Sequence, residues 1–239
     1  MRVVAFAVWC LVPLFFLGYH FGPGQESAAL DQVDRSLHST KTLAGEQDYE
    51  AAIALLNASL EKLPADKFDE AARIRLERAR LQMLNQQLPE AFNDVQTLVD
   101  ELAERPHVDP QLLSDAQATF ANSQYYVTWL MRLEGRPRED WEPQVESARQ
   151  IFRQLAEEAE VKGDTQASKL RREDLEASIR LARMDVGDLQ GLPLPTQCQS
   201  CKSGKCNCKG KKPSKKPSTK TSQDARGASA GPPRDGGGN

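Results

Sequence analysis

A periodic stripe of small and apolar residues in residues 48–64, DYEAAIALLNASLEKLP, most constrains what this chain can fold into. Apolar and small side chains recur there at steps of three and four, which places them on one face of a helix and leaves the charged residues outside it. Pro64 ends the segment. The pattern predicts an amphipathic helix with a narrow packing face. The stripe comprises Tyr49, Ala52, Ile53, Leu56, Ser59 and Leu60.

The same stripe returns 39 residues later, and each of its six positions is again small or apolar. A third and partial copy lies in residues 141–160, where Arg149 replaces the residue equivalent to Ile53. Six matched positions at one offset in the first two copies predict repeated helical units. The second copy comprises Leu88, Ala91, Phe92, Val95, Leu98 and Val99, and the third Val145, Ala148, Phe152, Leu155 and Ala156.

The order of an aromatic residue, a small Ala52, a bulky residue, a small Ser59 and a closing Pro64 resembles the second helix of a tetratricopeptide (TPR) repeat. The resemblance covers about residues 31–160. It implies a stack of antiparallel helix hairpins that binds or scaffolds other proteins. The spacing of 39 exceeds the family's usual 34, and an unrelated helical bundle is the alternative. Both are all-α.

Two further helices complete the predicted body. Residues 111–133 carry apolar side chains on more than one face, so we expect this helix to be sandwiched at the centre of the core. Residues 164–184 place Leu175, Ile179 and Ala182 on one side and many charges elsewhere, which is typical of a polar terminal cap on a helical stack.

Charge and composition divide the chain into three parts. Residues 1–24 are predicted to form a membrane anchor or signal segment, residues 25–190 the helical domain, and residues 191–239 a cysteine-rich and then Lys/Pro/Ser/Gly-rich disordered tail. The net charge of -3 combines about +8 in residues 198–239 with about -11 before them. The helical body has no cysteine, so its stability must come from helix packing.

The N-terminal apolar segment predicts export of the body. Residues 3–21 contain no Asp, Glu, Lys or Arg, and their length is close to the ~20 residues that a membrane-spanning helix requires. With Arg2 before the span, the positive-inside rule keeps the N-terminus in the cytoplasm of a single-pass protein of the inner or plasma membrane. The alternative is a cleaved signal and a secreted body. Both interpretations export the helical domain.

Arginines crowd the first helix of the second repeat, which reads AARIRLERARLQ. In the TPR family first helices line the concave face, so the resemblance implies that Arg73 and Arg80, which are seven residues apart and share a face, bind the carboxylates of a peptide. The alternative is a solvated helix surface on which these arginines pair with Glu70 and Glu77.

The tail carries a C-x2-C-x4-C-x-C cluster of four cysteines. Four thiolates so close together predict a tetrahedral site for a soft cation such as zinc or copper. Outside the cytoplasm, two local disulfides or a covalent link to another chain are the alternatives. The cluster comprises Cys198, Cys201, Cys206 and Cys208.

The remaining sequence argues against an enzyme. The chain has three histidines and none of the hydrolase, zinc-protease or phosphate-binding motifs. The lysine-rich tail predicts at most nonspecific contact with a polyanion, and because no aromatic residue interleaves with its lysines it does not predict sequence-specific nucleic-acid binding. We therefore expect a membrane-anchored, exported TPR-like scaffold or adaptor for a protein partner, with a metal-handling protein as the alternative.

Overall fold

A computed structural model of the chain describes Trp9 and residues 23–194, and within residues 23–194 it contains eight α-helices and no strand. The predicted all-α body is confirmed. None of the helices in the described part is long and apolar enough to cross a membrane. Nearly all of the predicted anchor, and residues 195–239 of the predicted tail with all four of its cysteines, lie outside the described residues. The helices are α1 (Pro23–Gly45), α2 (Tyr49–Lys62), α3 (Phe68–Leu84), α4 (Leu88–Glu104), α5 (Pro110–Leu133), α6 (Arg138–Val161), α7 (Thr165–Arg183) and α8 (Val186–Gly191).

The described part of the chain divides into two compact units, with the boundary between Ile74 and Arg75, inside α3. In the first unit, α1 packs against α2. In the second, α4 packs against α5, α5 against α6, and α6 against α7. Each of these pairs joins helices that follow one another along the chain, which is what short connections between helices produce. The short α8 instead packs against α5.

In each of the first two copies of the predicted stripe, four of the six positions are buried and the other two are half-buried. Ala52 and Ala91, the equivalent small residues of α2 and α4, each have 0% of their surface exposed. Leu56 and Val95, one turn further along, are also fully buried. A small side chain at each of these sites lets a neighbouring helix approach closely, so the repeated stripe marks the packing face of each helix.

The helix α5 is buried on every side. All residues from Ala121 to Tyr126 are buried. Because successive residues of a helix are rotated by about 100°, these six side chains cover every side of α5. Phe120 packs against Phe92 of α4, with ring centroids 5.6 Å apart, while Ala121 belongs to a core cluster with Phe152 of α6. The prediction that this helix is sandwiched between neighbours is confirmed.

The same backbone turn closes four of the helices. The N–H of the residue after each left-handed position donates to the carbonyl five residues earlier over 2.8 or 2.9 Å, which is the Schellman arrangement. Two of the left-handed residues are glycine, but the other two are glutamine, which carries a steric cost in that conformation. The left-handed residues are Gln47, Gln86, Gly135 and Gly163.

The helix α7 packs differently from the prediction. Leu175, Ile179 and Ala182 are half-buried rather than buried, although Leu175 does pack against the core cluster of Ala121 and Phe152. The buried positions are mostly polar, and two of them have local partners: Ser178 donates to the carbonyl of Asp174 over 3.0 Å, and the carboxylate of Asp174 pairs with Arg171 at 3.0 Å. The buried residues of α7 are Ser168, Asp174, Ser178 and Leu181.

Replacing Ala91 by leucine tests the close packing of α4. Because Ala91 is fully buried, the larger side chain should overpack the core and lower the free energy of unfolding by about 1 to 3 kcal/mol. The control is Ala103→Leu on the exposed side of the same helix, which should change it by less than about 0.5 kcal/mol. Urea unfolding followed by circular dichroism measures both. Equal effects would contradict the assignment of the packing face.

Replacing Gln86 by glycine tests the strained turn between α3 and α4. Gln86 has a φ of 73°, in the left-handed region that glycine adopts without strain. Glycine at this position should therefore raise the free energy of unfolding by about 0.5 to 1 kcal/mol. Gln96→Gly, at an exposed position inside α4, should lower it by about 1 kcal/mol. Urea unfolding midpoints, at an unchanged slope with denaturant, distinguish the two variants. A lower free energy of unfolding in both variants would contradict the proposed strain at Gln86.

Candidate functional site

The arginines of α3 differ in their surroundings. Arg73 is exposed, whereas Arg75, Arg78 and Arg80 are half-buried, with 20 to 23% of each side chain exposed. The boundary between the two units falls after Ile74, so the three half-buried arginines all belong to the second unit. The geometry of the candidate site is therefore that of these three side chains.

Two of these arginines pair with the neighbouring helix. The guanidinium of Arg75 makes a two-pronged ion pair with the carboxylate of Glu101 on α4. Arg78 donates to Asp94, also on α4, over 2.8 Å. The later arginine pairs with the earlier acid, so α3 and α4 run antiparallel. These carboxylates lie on the next helix, so the pairs hold two helices together. The Arg80–Glu77 ion pair, with Nη1 and Oε2 3.7 Å apart on α3, is the kind of pair that the paired-surface alternative named.

The third arginine is held in a different way. Nε of Arg80 donates to the hydroxyl of Thr119 on α5 over 3.2 Å. Thr119 is 1% exposed, and its own hydroxyl hydrogen goes to the carbonyl of Asp115 over 2.8 Å. The nearest carboxylate in the described part of the chain is that of Glu77, 3.7 Å from Nη1, which is too long for a hydrogen bond.

Thr119 thus fixes the guanidinium of Arg80 through its inner nitrogen. The two outer nitrogens, which form the fork that binds a carboxylate from two sides, make no hydrogen bond to the residues that the structure describes. Because a buried side chain orients Arg80, little rotamer freedom remains to be lost when a ligand binds. Chemically, the arrangement is a preoriented cationic group whose outer nitrogens can donate hydrogen bonds to the carboxylate of a bound ligand.

The exposed side of α6 provides a comparison, because its arginines lie at the surface and pair with acids on the same helix. Arg149 donates to Glu146 one turn away over 2.6 Å, and Arg153 lies 3.9 Å from Glu157. The hydrogen bond from Arg149 lowers the pKa of Glu146, and that from Arg138 lowers the pKa of Glu142. All these partners lie within the same helix. Arg80 differs because its orienting partner is a buried hydroxyl on another helix.

The predicted sites stand as follows. Arg73 and Arg80 both lie on α3, and binding of a carboxylate by either of them stays a prediction. Cys198, Cys201, Cys206 and Cys208 lie outside the described residues, so the zinc or copper site also stays a prediction. Within the described part, no three His, Cys, Asp or Glu side chains come together in a way that could hold a metal ion.

Sequence reasoning missed a second arginine, at the end of α5. Arg132 is 6% exposed and donates to the carbonyls of Leu181 and Met184 at the end of α7. Its guanidinium also lies over the ring of Trp141, 4.6 Å from the centroid. Burial lowers the pKa of Arg132, and the negative charge of Asp185 opposes that effect. A cation at the end of a helix stabilises the unpaired carbonyls there.

The described part of the chain thus defines a class only: an all-α protein of packed helices, with a preoriented arginine on α3 and a buried arginine at the end of α5. The chain matches no protein-family model, no curated protein and no solved structure.

Double-mutant cycles distinguish the two kinds of arginine. Removal of Arg75, Glu101 or both should reveal a coupling free energy of about 0.5 to 1 kcal/mol, because the pair is two-pronged and half-buried. The matched cycle on Arg80 and Glu77 should give a coupling near zero, because 3.7 Å is too long for a hydrogen bond. Urea unfolding of Gln variants measures both. A coupling at Arg80 as large as at Arg75 would remove the distinction.

Proposed function

We propose that this protein is an exported scaffold or adaptor that uses TPR-like helix pairs to recruit a protein partner, and that its N-terminal segment tethers it to the inner or plasma membrane. The repetition of one packing stripe at 39 residues supports the proposal. Two copies of one packing stripe at this offset are what stacked helix pairs produce.

The observation that carries the recruiting role is the state of Arg80. A guanidinium that is oriented by a buried hydroxyl, and whose fork makes no hydrogen bond to the described residues, is suited to a carboxylate on a partner. The partner chemistry is therefore an acidic peptide segment. Arg73, exposed on the same helix, adds positive charge for the approach of such a segment.

The tether is proposed on the apolar segment of residues 3–21 and on Arg2 before it. With this orientation the N-terminus is cytoplasmic, and the helical body and the basic tail lie on the exported side. A scaffold fixed to a membrane holds its partner at a high local concentration there. The same recruiting role applies to a body that is secreted after cleavage of a signal.

Recruitment is tested by crosslinking in native membranes with the full-length chain. Wild type, Arg80→Gln and Arg153→Gln, each with a C-terminal affinity tag, are crosslinked, purified and analysed by mass spectrometry. Arg80→Gln should reduce the yield of a specific partner about tenfold, because it removes charge-assisted hydrogen bonds worth about 1.5 to 3 kcal/mol. Arg153→Gln removes an exposed arginine from α6 and should leave the yield unchanged.

Three results would count against the proposal. A partner recovered equally by all three chains does not use Arg80. A partner lost only on deletion of residues 195–239 is recruited by the tail, not by the helices. Recovery of no partner above the level of an untagged strain removes the scaffolding role. Circular dichroism of each purified chain shows that a loss of partner is not a loss of fold.

A further inference from the structure

The short helix α8 is attached to the body by very little. Leu189 is its one buried residue, at 1% exposure, and Val186 is 43% exposed although it is apolar. The other residues of α8 are exposed as well. Six residues are far fewer than a helix requires for stability on its own, and α8 contains two glycines, which weaken it further. Its helical state therefore depends on its packing against the rest of the protein, and the surface on which α8 packs is its seat.

The seat of α8 is on α5, the helix against which it packs. Two features keep this end of α5 ordered without α8. Arg132 binds the carbonyls of Leu181 and Met184, which precede α8 in the chain, and its guanidinium rests on Trp141 of α6. The end of α7 is thus fastened by Arg132, so release of α8 leaves the structure around its seat in place.

The C-terminal half of α5 also carries a buried polar group that lacks a hydrogen-bond partner in the described part of the chain. Trp129, three residues before Arg132 and on the same side of the helix, is 4% exposed, and its indole Nε1 has no hydrogen-bond partner among the described residues. A buried donor without an acceptor is costly. A segment that brings a carbonyl to Trp129 Nε1 would remove that cost, and none of the described residues, those of α8 included, supplies one.

From these observations we propose that α8 is a displaceable strap. Its leucine is the one buried residue of α8, which packs against α5, and an extended or helical segment of a partner that carries a leucine-like side chain and a free carbonyl can take its place. The occupant chemistry is read from α8 itself, since Leu189 is the side chain that the seat accepts. The proposal does not depend on the recruiting role of Arg80, which lies on α3.

Hydrogen exchange on the full-length protein tests whether the strap opens. Amides of residues 186–191 should exchange at least 100-fold faster than those in the interior of α7, because opening of α8 breaks one side-chain contact and few backbone bonds. Leu189→Ala should accelerate exchange in α8 alone. Val186→Ala, in the same helix but exposed, is the matched control and should change nothing. Protection of α8 equal to that of α7 would overturn the proposal.

A peptide supplied in trans tests whether the seat accepts an occupant. The probe is a fluorescent peptide of residues 185–194, DVGDLQGLPL, and the receptor is full-length Leu189→Asp, in which the strap cannot seat. Fluorescence anisotropy should show saturable binding to this variant and at least tenfold weaker binding to wild type, whose seat is filled. The same peptide with Leu189→Asp should not bind.

Every other result overturns the strap. If Leu189→Asp keeps its helical circular dichroism but does not bind the peptide, the seat does not exchange its occupant. If the substitution abolishes the helical signal, α8 is an integral part of the core. If wild type and variant bind the peptide equally, the peptide binds elsewhere.

Discussion

Burial of α5 on every side is the constraint on which the second unit depends. Where α5 has no solvent-facing side, a polar group needs a partner within the protein, because water is not there to supply one. Trp129 Nε1 lacks such a partner among the described residues. The threonine hydroxyls of α5 meet this condition within the helix: Thr128 donates to the carbonyl of Gln124 over 2.8 Å, and Thr119 donates to that of Asp115. A hydroxyl satisfied in this way behaves as a small packing residue. The polar side chains of α5 that reach other helices, such as Arg132, thereby fix where those helices lie.

One residue type plays three roles in this unit, and its surroundings decide which. Arg75 and Arg78 meet carboxylates on α4 and join two helices. Arg132 meets the carbonyls at the end of α7 and is buried against Trp141. Arg80 meets a hydroxyl that orients it without neutralising it. A guanidinium has five donors, so the number that the fold already uses sets what remains for a ligand.

Prediction from sequence succeeded where one side of a helix is apolar and failed where polar groups are buried. The stripe of α2 and α4 and the sandwiching of α5 follow from hydrophobic periodicity, since burial of apolar surface drives packing. Periodicity carries no information about Thr119, because a buried and an exposed threonine look alike in a sequence. It also missed α8, which at six residues is shorter than two turns and has one buried residue. The partners of the arginines could not be predicted from sequence, because a long flexible side chain can reach several neighbouring helices.

The sequence by itself determined that the body is helical, where most helices begin and end, and which side of α2 and α4 is buried, because these properties depend on residues close together in the chain. It also determined the opposed charges of body and tail. Only the tertiary structure decided which arginine faces a carboxylate and which faces a hydroxyl, and that Arg132 closes α7 from 49 and 52 residues away. Those choices depend on contacts between distant residues, whose geometry exists only when the helices have packed.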